Sequence, residues 1–183
     1  MKTGLPLAYP GMKIGLFGGS FDPAHEGHAH VAETALKRLG LDRVWWLIAP
    51  QNPLKPLSSP FADRVHSAQN QAHGAKMVVT DLEQRLGCRF TYQTLGALKR
   101  LYPGVSFTLI LGADNLVTFR KWRNWREVAK ALPVAIVARP GVGAAERLGA
   151  PKGWTYLNAR LHRESSSSIR TRKRRTVAKP APR

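Results

Sequence analysis

Cysteine is nearly absent: Cys88 stands alone among 183 residues. One thiol closes no internal disulfide, so the fold must rest on its core, and a reducing, cytoplasmic setting is expected. No apolar run approaches the roughly 20 residues that cross a bilayer, so no membrane partner is expected. Acids are scarce, 11 Asp and Glu against 29 Lys and Arg, for a formal net charge of +18. So few carboxylates offer no obvious acid–base pair and little from which to build a metal cage. There is no internal repeat. Residues 1–12 (MKTGLPLAYPGM) are too short and too broken by Pro and Gly for a signal peptide and read as a loose arm.

The chain does have 43% apolar residues and the length for one domain with a real core. Its excess positive charge attracts polyanions. That charge alone fits either an RNA binder or an enzyme of phosphorylated substrates. Seven Lys and Arg fall between residues 170 and 183 with no acid among them. Residues 173–183 read as a basic, disordered tail. Aromatic residues do not interleave with that tail, which argues against specific nucleic-acid binding.

Periodicity predicts strands near 14–17, 44–49 (VWWLIA), 76–80 (KMVVT), 106–111 (SFTLIL), 134–138 (VAIVA) and 154–157. Helical spacing lies between them: Val31, Ala32, Ala35, Leu36 and Leu39; Phe61, Val65, Ala68 and Ala72; Leu95, Leu98 and Leu101 within 91–101. Further helices are expected through Leu116, Phe119 and Trp122 and from 125 to 132. Residues 81–89 read as a loop. Strands alternating with helices predict an α/β fold, a doubly wound parallel sheet in a single domain over 13–172. Ligands in such sheets sit beyond the carboxyl ends of the strands. Four polar clusters follow strand ends: 18–28, the proline-rich 50–55, 112–115 and Arg139.

Residues 13–30 read KIGLFGGSFDPAHEGHAH. An apolar run breaks at Gly18-Gly19, passes a polar turn, and reaches His25 and His28 where a helix begins. Backbone N–H groups and the positive end of a helix can meet phosphate there. Gly-Gly alone would suit any strand-to-helix turn. Two histidines three apart add rigid donors for phosphate oxygens. A zinc pair competes, but no third ligand is evident, and zinc-binding helices usually space their histidines at i and i+4. The other histidines (His30, His66, His73, His162) and Trp45 and Trp46 read as ordinary surface or core residues.

His25-Glu26-Gly27-His28 after GLFGGSFDP resembles the HxGH signature of the nucleotidyltransferase superfamily. PQNPLK (50–55), FTYQTL (90–95), LGADNL with FRKWRNW (111–125), VARPG (137–141) and SSSSIR (165–170) narrow the resemblance to the bacterial nicotinate-nucleotide adenylyltransferases. It covers nearly the whole chain and implies a Rossmann-like nucleotidyltransferase domain. The implied reaction moves AMP from ATP to nicotinate mononucleotide, giving deamido-NAD and pyrophosphate. His25, His28 and Arg170 would be catalytic. Gly18, Gly19, Ser20, Phe21, Lys55, Gly112, Arg139 and Ser167 would bind ATP and its phosphates. Thr91, Asp114, Trp122 and Arg123 would bind nicotinate mononucleotide, with Trp122 stacked on the pyridine. Mg²⁺ is implied on the substrate phosphates, with no metal held by the protein itself. A monomer or small homo-oligomer is expected. Arg89 stands where the family often has serine, and Glu164 where it often has an apolar residue. The sister enzymes that act on phosphopantetheine usually have threonine at the position of His25 and lack the Trp-rich block.

The nucleophile would be a phosphate oxygen of the mononucleotide, already mostly dianionic at neutral pH because its second pKa is about 6. No strong base is needed. Catalysis would come from holding two polyanions together and neutralising their charge.

Overall fold

A computed structural model describes residues 5–50, 59–138, 151 and 153–158. Six strands form one sheet: β1 (Lys13–Gly19), β2 (Arg43–Ile48), β3 (Met77–Thr80), β4 (Ser106–Gly112), β5 (Val134–Ala138) and β6 (Thr155–Asn158). All neighbours are parallel, in the order β3-β2-β1-β4-β5-β6. This is the Rossmann-like, doubly wound α/β arrangement, and the order reverses between β1 and β4. A crevice opens at such a switch point, outside the carboxyl ends of the two strands.

The sheet is covered on both sides because successive side chains alternate across it. Trp45 and Trp46, both 0% exposed, belong to opposite cores. One core joins Phe17, Trp46, Ile48 and Ile110 to Val31, Ala32 and Ala35 of α1 (Glu26–Arg38) and Ala68 of α2 (Phe61–Gln69). The other joins Ile14, Leu16, Trp45, Leu109 and Ile136 to Leu82, Leu95, Leu98 and Val128. These last four come from α3 (Leu82–Arg85), α4 (Thr91–Leu101) and α6 (Trp125–Ala131). Gly15 lets the first core close: a Cβ there would stand 2.5 Å from Ile110 Cδ1 and 2.7 Å from Leu41 Cδ1.

Three sequence expectations change. The loop expected over 81–89 contains α3, because fully buried Leu82 anchors it and its N–H donates to Thr80 Oγ1 at 3.1 Å. The helix expected through Trp122 ends early: α5 spans Leu116–Phe119, and left-handed Asn124 (φ 53°) then opens α6. Residues 5–12 of the expected loose arm are docked. Tyr102 Oη donates to Pro6 O at 2.8 Å, Arg43 Nη1 to Leu7 O at 3.1 Å, and Gly11 N to Gly104 O at 2.8 Å. Among the described residues no helix is long and apolar enough to cross a membrane. The expected tail, and the serine run with Ser167 and Arg170, lie outside the described residues.

Candidate active site at the sheet switch point

β1 ends at Gly19, level with Ile48 of β2, and its chain turns through residues 20–24 into α1. Phe21 makes that turn in the left-handed region (φ 46°) with its ring 1% exposed. The conformation costs a bulky residue about 1–3 kcal/mol. Burial of the ring offsets it: Phe21 lies 5.3 Å from Phe17, 5.1 Å from Trp46 and 5.1 Å from His28, centre to centre. Gly19 is part of this packing, since a Cβ there would sit 3.1 Å from the Phe21 ring. A Cβ on Gly18 would meet nothing within 4 Å. Of the two glycines, Gly18 borders open space and Gly19 makes room for Phe21. The following Asp22–Pro23 bond is cis.

The spacing of the two histidines has a structural cause. His25 is the N-cap of α1, in extended backbone conformation, and only 3% exposed. Its Nδ1 accepts from Gly27 N at 3.1 Å, while His28 Nδ1 accepts from His25 N at 3.2 Å. This reciprocal arrangement is the one that Ser/Thr-x-x-Glu sequences use to satisfy orphan N–H groups. The two rings lie 3.9 Å apart. Because both Nδ1 atoms accept, each neutral ring carries its proton on Nε2. Each imidazole therefore has a donor as its second polar atom, the type a phosphate oxygen needs.

Two side chains of α2 hold the turn from behind. Arg64, 2% exposed, donates to Ser20 O at 2.9 Å, Ala49 O and Pro50 O at 2.7 Å each, and Ser59 O at 3.0 Å. Burial lowers its pKa and the Asp22 carboxylate opposes that shift. A guanidinium remains charged regardless. Ser67 Oγ accepts from Ala24 N at 3.1 Å and shares its one proton between Arg64 O at 3.0 Å, in its own helix, and Phe21 O at 3.3 Å. The sequence reading missed both residues. The signal was available, because Arg64 falls between Phe61 and Ala68 on the apolar face of α2, where an arginine needs a buried partner.

Across the switch point, β4 ends at Gly112 and a turn of 3₁₀ helix (Ala113–Asn115) follows. Asp114 is exposed and folds back on the strand end; a Cβ on Gly112 would stand 2.5 Å from its Oδ1. Phe119 packs its ring 5.2 Å from Trp122, which is half-buried against the core. The guanidinium of Arg123 lies 5.5 Å over the ring of Phe90, the residue before Thr91. Thr91 begins α4, and Gln93 Oε1 accepts there from Arg89 N (3.0 Å) and Phe90 N (3.1 Å). One turn further, Thr94 Oγ1 donates to Glu83 Oε1 at 2.8 Å, and burial pushes the Glu83 carboxyl up to about 7.

The structure thus gathers Gly18, Gly19, Ser20, Phe21, His25 and His28 in one loop at the β1 exit. Gly112 and Asp114 lie at the adjoining β4 exit, and Arg123 joins Trp122 to the start of α4 at Thr91. Lys55, Arg139, Ser167 and Arg170 lie outside the described residues.

The model of the cytidylyltransferase-like family matches residues 16–174. A protein of Roseobacter denitrificans named "Probable nicotinate-nucleotide adenylyltransferase" is 44% identical over 94% of this chain and 98% of its own. One of the same name from Cereibacter sphaeroides is 45% identical over 87% of this chain and 97% of its own. Among solved structures, the Plasmodium falciparum nicotinic acid mononucleotide adenylyltransferase complexed with NaAD superposes with a TM-score of 0.70. It is 20% identical, over 87% of this chain and 83% of that one. The same protein complexed with APC gives 0.69 at 21% identity, with the same coverage. At that identity the likeness concerns the fold. The relatives and the family model together decide the family: the chain belongs to the cytidylyltransferase-like proteins and, within them, to the nicotinate-nucleotide adenylyltransferases.

Proposed function

We propose that this chain transfers the adenylyl group of ATP to nicotinate mononucleotide, releasing pyrophosphate and forming deamido-NAD, a step of NAD biosynthesis, in the cytoplasm. The observation that carries the reading is the reciprocal histidine cap. It places two imidazoles, each with its proton on Nε2, at the β1 exit beside the switch point. His25 and His28 hold the ATP phosphates, with the N–H groups of the loop after Gly18 around them. Trp122 faces the pyridine, and Thr91 with the backbone around Trp122 and Arg123 recognises the nicotinate carboxylate. Asp114 accepts from a ribose hydroxyl. Lys55, Arg139, Ser167 and Arg170 are assigned to the phosphates by their matching motifs.

The reaction needs little covalent help. A phosphate oxygen of the mononucleotide attacks the α-phosphorus in line, and the bond to the bridging oxygen of pyrophosphate breaks. Charge grows on the leaving group, where Nε2–H donors and the positive end of α1 stabilise it. Mg²⁺ belongs to this proposal as a companion of the nucleotide phosphates, where it would offset charge. The ion would be carried mainly by substrate oxygens and water, as Mg²⁺ ordinarily is at nucleotide sites.

The test is pyrophosphate release with ATP and Mg²⁺, offering nicotinate mononucleotide, nicotinamide mononucleotide and phosphopantetheine side by side. Strong preference for the first is expected. Equal use of the two mononucleotides would remove carboxylate recognition by Thr91 and the backbone around Trp122 and Arg123. No release with any acceptor would overturn the adenylyl-transfer reading.

A further inference from the structure

α2 lies outside the motifs that identify the family, yet its one buried cation reaches three separate segments of chain. Arg64 donates to the carbonyl of Ser20 in the β1 loop, to those of Ala49 and Pro50 where β2 runs out, and to that of Ser59. Asp22, 6% exposed, closes the circuit by accepting from Ser59 N at 3.3 Å. Ser67, one turn along the helix, faces the carbonyl of Phe21 at 3.3 Å with a hydroxyl it shares with Arg64 O at 3.0 Å.

Peptide planarity gives these contacts a directional consequence. Within one trans peptide unit the C=O and the next residue's N–H point in opposite directions. With the Ser20 carbonyl turned to Arg64, the N–H of Phe21 points away from α2. With the Phe21 carbonyl turned to Ser67, the N–H of Asp22 does the same. α2 packs against β2 and β3, on the far side of β1 from β4. Successive backbone N–H groups, one from a residue in the left-handed region, form a concavity suited to an anion.

We propose that Arg64, seconded by Ser67, is a positioning residue for the triphosphate: it turns the carbonyls at residues 20 and 21 away so that the amides of Phe21 and Asp22 serve the phosphates. Arg64 touches no substrate and acts through the loop. Its fork of five donors is what makes the role possible, since it meets four carbonyls in one plane-fixed geometry. A lysine offers three donors on a single atom and cannot span them. The inference rests on the adenylyl-transfer reading for the identity of the anion, and not for the orientation of the loop.

The experiment compares wild type with Arg64→Lys and Ser67→Ala in the full chain. It measures kcat, KM for each substrate, calorimetric binding of ATP, and Tm. In folded Arg64→Lys, KM and Kd for ATP are expected to rise about tenfold or more, roughly the loss of one charge-assisted contact, while KM for nicotinate mononucleotide stays within about twofold. Ser67→Ala should shift the same ATP parameters less and should also decide the matter if Arg64→Lys does not fold. Unchanged ATP binding in a folded variant overturns the proposal. So does a parallel loss for both substrates, which marks a structural residue only. A wild-type protein that binds ATP normally yet transfers nothing removes the reaction and leaves the loop assignment to stand on ATP binding. Wild type that does not bind ATP overturns both.

Discussion

The two sides of the switch-point crevice are built by different physics. After β1, the turn is held by directed hydrogen bonds: Arg64 and Ser67 reach it from α2, and the paired Nδ1 atoms of His25 and His28 cap it locally, each fixing single carbonyls or amides. After β4, the chain bonds to itself at short range. Lys121 N donates to Thr118 O (2.9 Å), Trp122 N to Phe119 O (3.0 Å), and Trp125 N to Trp122 O (3.2 Å). Distant anchorage there comes from rings: Phe119, beside Trp122 (5.2 Å) and Trp125 (6.1 Å) of its own segment, lies 4.8 Å from Trp154. Hydrogen bonds fix direction, whereas ring contacts fix area and tolerate sliding. Developing charge needs dipoles already in place. A flat heterocycle needs a surface. Each side suits the part of the reaction proposed for it.

Breaking the polar side should cost most. His28→Ala removes the proposed phosphate donor and half of the α1 cap, and turnover should fall by roughly 10²–10³, as when one oxyanion donor is lost. Steady-state pyrophosphate release, read beside Tm, checks this. Wild-type-like rates in a folded variant would place the phosphates elsewhere.

The support behind α4 should respond to pH where Arg64 does not. Glu83 has its carboxyl raised to about 7 in the folded chain, against 4.5 as its ordinary value. The folded state therefore holds the proton more tightly. The associated stability is full below about pH 4.5, declines as pH rises, and is lost above about 7. That shift corresponds to at most about 3 kcal/mol. Glu83→Gln, neutral at every pH, should flatten this slope and unfold at a higher temperature than wild type at pH 8. A thermal-denaturation series from pH 4 to 8 decides it; parallel curves would show that Glu83 titrates normally.

The aromatic side should give the smallest and most selective effect. Trp122→Ala should raise KM for the mononucleotide about tenfold, within the range of one lost base–aromatic stack, with KM for ATP little changed. An equal rise in both constants would show that Trp122 acts through packing on Phe119 rather than on the pyridine.

Much of this architecture was legible in the chain. The strand at 44–49 is a continuous apolar run because both faces of a covered parallel sheet are buried. The strand–Gly–Gly–His-x-x-His segment announced the loop at the β1 exit. Other features were hidden for physical reasons. α3 is one turn, too short for a period to show, and it depends on Leu82 finding a core contributed by distant strands. Residues 5–12 carry Pro and Gly like a free arm, and their docking rests on Tyr102, Arg43 and Gly104 far along the chain. The apolar face of α2 hints that Arg64 is buried, but not what it meets. Its four carbonyl partners come from three loops that only the folded sheet brings together. The histidines were read for the ligand and not for the cap, although one spacing serves both.

The switch point also sets a schedule for the growing chain. Ile14 lies opposite Arg43 on one side of β1, and Lys13 lies opposite Ser106 on the other. β1 can pair with β2 early, but its second edge waits until β4 leaves the ribosome, roughly 5–20 s later at ordinary elongation rates. Throughout that interval the apolar strand Ile14–Phe17 keeps an unpaired edge of the kind that templates association with other chains. The strand that ends at the switch point is thus also the one that a nascent chain must shield longest.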